Sequence, residues 1–209
     1  DFFIGLMASF LYLTMPLMFI GKRLIGKFGA AHTFGTNWLL RNAFAALMGL
    51  VPLVIGMYNQ SFGLNLLAFS AFLFFAFRSI GFTANTPLIG DITGKNNSAN
   101  FLSKMWLHFN IFYFVTLLVL MIVFKYSDSI QTFQFIILGG CVFGIAASIL
   151  VYHIPESTAP RISARRPVSH SFSYLWRNIQ CRKLLFSWTA ASTANMLMIP
   201  FSMVALKNG

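Results

Sequence analysis

Arg78 closes one of the most apolar runs of the chain, "FGLNLLAFSAFLFFAFR", and the residues after it, "SIGFTANTPLIGD", carry Thr83, Asn85 and Asp91. A guanidinium that faces an aqueous cavity binds an anionic group of a ligand or a mobile carboxylate. The bland alternatives are snorkelling to headgroups and pairing with a carboxylate such as Asp91. Asn85 follows Arg78 by about two helical turns, so one continuous helix would put both on the same side. A second polar set lies in "LLFSWTAASTANMLMIPFSM", where Thr193 and Asn195 are candidate ligand contacts. Small hydroxyl residues in such a helix equally serve close helix packing. The carboxylates are unpaired, and neither clustered His ligands nor a Ser-His-Asp spacing points to an enzyme. Cys141 and Cys181 read as packing or incidental residues rather than a disulfide or a metal site.

These residues need membrane helices to hold them. The chain is 57% hydrophobic and 9% charged, far from the balance of a soluble domain, and reads as an all-α integral membrane protein. Six apolar stretches, at 2–20, 38–58, 62–89, 105–124, 132–152 and 184–206, approach or exceed the roughly 20 residues that cross a bilayer core. None alternates polar and apolar residues for long, which argues against a β-barrel. The first opens on Asp1 instead of a basic segment and lacks a cleavage site, so it is read as a spanning helix of a fragment. From Phe62 to Asp91 a single helix would extend about 45 Å, more than the membrane core, and Gly81 and Pro87 are the expected places for it to break.

The net charge of +11 is a matter of placement. Twelve of the fifteen Lys and Arg fall at alternate connections: Lys22, Arg23, Lys27 and Arg41 at the first, Lys95 and Lys104 at the third, and six between Arg161 and Lys183 at the fifth. This is the bias of cytoplasmic loops in a multi-pass protein of the cell membrane, and it replaces nucleic-acid binding as the meaning of the charge. Residues 154–183 are rich in Ser, Pro and Arg and read as a cytoplasmic linker. Phe172, Leu175, Trp176 and Ile179 recur there at the spacing of a short amphipathic helix on the membrane surface. The expected division is residues 1–153 as most of one bundle, 154–183 as linker and 184–209 as the first helix of a second bundle.

In this topology the chain resembles the major facilitator superfamily of secondary transporters, its visible helices corresponding to the second through seventh of twelve. "KRLIGKFG" is similar to the family's loop signature between its second and third helices, with Leu24, Lys27, Phe28 and Gly29 in register and Gly26 in place of the signature's aspartate. Asp91 matches the acidic end of the fourth helix, "IPES" at 154–157 the close of the sixth, and "NIQCRKLL" the entry to the seventh. The resemblance implies alternating-access transport of a small solute within the lipid bilayer. Arg78, Thr83, Asn85, Thr193 and Asn195 would touch solute, and Lys27, Gly29 and Asp91 would act in the gating loops. It implies no cofactor. A coupling proton or ion would use missing helices, unless the protein is a uniporter. Because Gly26 replaces the aspartate, any gating lock must be built differently. A non-transporting membrane subunit or scaffold is the main alternative, and a membrane-embedded enzyme a weaker one.

Overall fold

The computed structural model describes residues 2–127, 129–165, 177–183, 186–187 and 189–190, and the regular structure among them is helical throughout. Two compact units emerge, Asp1–Arg165 and Arg166–Gly209. The first contains α1 (Phe2–Leu13), a 3-10 turn (Met15–Leu17), α2 (Met18–Phe28), α3 (Ala30–Met57), α4 (Gln60–Phe82), α5 (Asn85–Tyr126), α6 (Ile130–Tyr152) and α7 (Ala159–Ala164). In the second unit, Asn178 Oδ1 accepts from the N–H groups of Gln180 and Cys181 at 3.0 and 3.3 Å, capping a short helical stretch.

Four helical segments among the described residues are long and apolar enough to cross a membrane: Ala30–Met57, Gln60–Gly94, Asn97–Tyr126 and Ile130–Tyr152. The first of the six expected spans is instead divided at the 3-10 turn, where Pro16 cannot donate to a continuing helix. Thr14 closes that break, its hydroxyl meeting Phe10 O at 2.8 Å and Ser79 Oγ on α4 at 3.1 Å. The sixth expected span, with Thr193 and Asn195, lies almost wholly outside the described residues, as do Phe172, Leu175 and Trp176 of the expected surface helix.

Boundaries move where polar side chains are satisfied locally. α3 was expected from residue 38 but begins at Ala30, because Thr33 and Asn37 donate to the carbonyls of Gly29 and Thr33 at 2.6 and 2.7 Å and so fit inside a helix. Arg41 therefore sits about 16 Å along α3 from its first residue, not at the connection where its charge was counted. The chain turns at Thr83–Ala84 instead of at Gly81 or Pro87. Gly81 is used for packing, since a Cβ there would stand 3.0 Å from Asn37 Cβ. Pro87 lies in the first turn of α5, where a missing N–H costs nothing. A second break falls within α5 at Gly94, whose φ of 69° and ψ of 170° suit glycine alone.

The core is made by α3, which packs along α4 on one side and α6 on the other. Small residues set the distance. Cβ atoms at Gly35 and Gly144 would meet Tyr152 Cα at 2.8 Å and Asn42 Oδ1 at 2.5 Å. Asn42 in turn donates to Ser148 Oγ at 3.3 Å, and Ser148 to Gly144 O at 2.6 Å, so the α3–α6 contact carries its own polar link. Gly144→Ala must push the Asn42 amide away and is expected to cost about 1–3 kcal/mol, visible as a lower thermal midpoint in detergent. Gly140→Ala, with nothing within 4 Å of its Cβ position, serves as the neutral control.

Candidate functional site

Two places concentrate polar chemistry, one at an end of the helices and one inside them. At the end, α2 stops at Phe28 and α3 starts at Ala30, with Gly29 between them at φ 99° and ψ 171°, a conformation essentially restricted to glycine. This corner exposes the last carbonyls of α2 and the first N–H groups of α3, which carry opposite partial charges. One distant segment answers both. Glu156 Oε2 accepts from Ala30 N at 2.6 Å and Ala31 N at 2.8 Å. Arg161 donates to Phe28 O at 3.1 Å and Arg165 to Gly26 O at 3.1 Å. Arg161 also pairs with Glu156 Oε1 at 3.3 Å, and the Glu156 side chain is only 4% exposed.

Asp91 completes this clasp from α5. Its carboxylate accepts from Ser157 N at 2.7 Å and from the Ser157 hydroxyl, and Ser157 Oγ accepts from Ala159 N at 3.2 Å. The start of the expected linker is thus docked on the bundle, with α7 lying against α2. Gly26 has a structural reason: a Cβ there would contact Arg165 Cγ at 3.4 Å, and a longer side chain would compete for the carbonyl that Arg165 holds. Of the expected gating residues, Gly29 forms the corner and Asp91 the α7 anchor. Lys27 is exposed, its Nζ 5.0 Å from the Phe28 ring, and makes no ion pair among the described residues. Beside the clasp, a cavity of about 310 Å³ is lined by Leu24, Phe28, His32, Thr36, Asn37 and Tyr152. His32 Nδ1 is buried there without a hydrogen bond, and its ring meets Tyr152 edge-on at 4.4 Å.

The inner site is built around Arg41 and Arg78, on antiparallel α3 and α4. The antiparallel run is marked by Asn37 and Trp38 against Gly81, Phe44 against Phe77 and Ile55 against Gly63, while the long Arg41 side chain reaches along α4 to Phe74. Arg78 lies one turn from both Phe74 and Gly81, and so falls on the stripe of α4 that faces α3 at the level of Arg41. Consistent with this, the two guanidinium groups stand within electrostatic reach of each other. Arg41 is held between aromatic faces, 4.6 Å from the Trp38 ring and 4.7 Å from Phe74, contacts worth about 0.5–2 kcal/mol each. Its Nε is buried without an acceptor. Among the described residues neither arginine has an ion-pair partner, while each costs about 2.5–3.5 kcal/mol at the centre of a spanning helix.

Other expected solute contacts separate from this level. Thr83 turns toward α2, its hydroxyl donating to Ser79 O at 3.2 Å and Met18 O at 3.4 Å, and it packs where Gly21 lets the two backbones approach. Asn85 is half-buried at the first residue of α5, just past Thr83 and Ala84, which keep right-handed helical backbone angles. Asp91 does not neutralise Arg78, because its carboxylate is committed to Ser157. The chain matches no family model, no curated protein and no solved structure.

Proposed function

We propose that this chain is part of a secondary transporter of the major facilitator kind, which moves a small solute by rocking one helix bundle against another. The observation that carries the reading is Arg78: a half-buried cation within a helix long and apolar enough to span a membrane, without an ion-pair partner among the described residues. Intramembrane charges are expensive and are kept where a solute or ion must pass. The clasp supports the same reading mechanically. It ties α2, α3, α5 and α7 together at one end, and a bundle braced in this way moves as a body. Lys22, Arg23, Arg161 and Arg165 lie in the segments of that end, a cluster of basic residues that supports reading it as the cytoplasmic side of the cell membrane.

The test starts with the purified intact protein, screened by thermal shift against small metabolites at several pH values, with each stabilising solute then offered to proteoliposomes. Saturable uptake is expected, and Arg78→Gln is expected to lower it about tenfold at normal membrane expression. Flux equal to empty liposomes for every stabilising solute would sink the transport reading. A scaffold is favoured by one observation, the Asn97–Tyr126 span, whose most apolar window buries none of its residues within the bundle. Stoichiometric co-purification of a second membrane chain, together with absent flux, would select it.

A further inference from the structure

We infer that Arg41 and Arg78 together form a binding site for an oxyanion group, a carboxylate, phosphate or sulfate carried by the transported solute. The inference rests on the transport reading for the word transported, but its chemistry comes from the pair itself. Two guanidinium groups at one level of neighbouring helices repel, and Arg41 is given aromatic faces, with the Cys141 thiol of α6 within electrostatic reach, in place of a carboxylate. Trp38 and Phe74 cover the guanidinium of Arg41 and fix its plane. Aromatic faces leave the in-plane N–H donors unanswered, and Arg41 Nε is buried with no acceptor. Each guanidinium presents a planar fork of donors that matches the two oxygens of an oxyanion.

Internal neutralisation is scarce. The chain has four acidic residues, and of these Asp91 and Glu156 are both engaged at the clasp. Asp1 and Asp128 lie outside the described residues. The level is also bounded by apolar packing: Phe44 and Phe77 stack at 5.6 Å on one side of it, and Gly81 closes against Asn37 and Trp38 on the other. An anion entering here gains two cations in a place where water screens them poorly. A neutral or cationic solute would leave both donor sets unpaired.

Trp38 touches Arg41 and is therefore a built-in reporter. In the intact protein every tryptophan other than Trp38, with Trp106, Trp176 and Trp188 among them, is replaced by Phe, so that Trp38 is the tryptophan that fluoresces. In a detergent with a neutral headgroup, at constant ionic strength, it is titrated with inorganic phosphate, sulfate and acetate, and with glucose and choline as controls. The expected result is a saturable change in Trp38 emission with at least one anion and none with glucose or choline. Arg78→Gln should weaken that response at least tenfold, and Arg78→Lys should recover part of it. Arg78 is varied because it alters the site without removing the group that stacks on the reporter. No saturable response to any anion, an undiminished response in Arg78→Gln, or a response that requires added phosphatidylglycerol would each overturn the inference. Flux in proteoliposomes separates the two readings. Saturable anion binding without any flux upholds the anion site and removes transport, whereas full uptake of a neutral solute by Arg78→Gln removes the anion site and leaves transport standing.

Discussion

Gly29→Ala is expected to lose most of the folded protein. Two independent costs add at this position. The backbone conformation, at φ 99° and ψ 171°, costs an L-residue about 1–3 kcal/mol. The new Cβ would also overlap Glu156 Oε1 and stand 2.6 Å from Glu156 Cδ, so the carboxylate must leave the α3 N-terminus. With it go the hydrogen bonds to Ala30 and Ala31, each charge-assisted and worth about 1.5–3 kcal/mol. The sum rivals the whole stability of an ordinary domain, about 5–15 kcal/mol. Fluorescence-detected size exclusion after heating measures it. Gly56→Ala, whose Cβ meets nothing within 4 Å, should keep the wild-type midpoint, and a Gly29→Ala protein melting within two degrees or so of wild type would refute the geometry of the corner.

Glu156→Ala is the second large effect, and the companion variant Glu156→Gln gives it direction. Removing the side chain leaves two helix-terminal N–H groups without their charged acceptor, a change of about 3–5 kcal/mol, and the loss of counter-charge to Arg161, whose side chain is 39% exposed, adds little to it. Glutamine keeps an acceptor oxygen for the amides but loses the charge that answers both Arg161 and the α3 dipole, so an intermediate loss of about 1–2 kcal/mol is expected. Hydrogen exchange at Ala30 and Ala31 should accelerate in Glu156→Ala before the centre of α3 is affected. Equal exchange in both variants and wild type would mean that the carboxylate does not hold this helix end.

Composition alone announced a membrane helix protein, and the apolar runs located most of the spans, because burial in lipid demands apolar side chains along whole segments. Asp91, Gly29 and the "IPES" segment were also singled out from local pattern. What those residues do was not legible. Glu156 meets Ala30 across 126 residues of sequence, and no periodicity or spacing encodes a partner that far away. The start of α3 was hidden because Thr33 and Asn37 look like loop residues until their side chains are seen bonding to the preceding turn. Arg41 was assigned to a connection for the same reason, and its pairing with Arg78 emerges only once α3 and α4 are laid antiparallel. Thr83 left solute contact and helix packing both open in the sequence, and what the sequence could not reveal is the partner of its hydroxyl, Met18 O on α2 at 3.4 Å.

The reach of Glu156 also sets a timetable for biogenesis. Ala30 leaves the ribosome long before Glu156 exists, and at about 5–20 residues per second the 126-residue gap corresponds to roughly 6–25 s of synthesis. During that interval α3, α4, α5 and α6 are delivered to the membrane in turn while the corner at Gly29 lacks its carboxylate. Docking of 156–165 is then the event that closes the nascent bundle. A ribosome stalled before Glu156 holds a chain with its long apolar helices made and the corner at Gly29 open to chaperones and proteases.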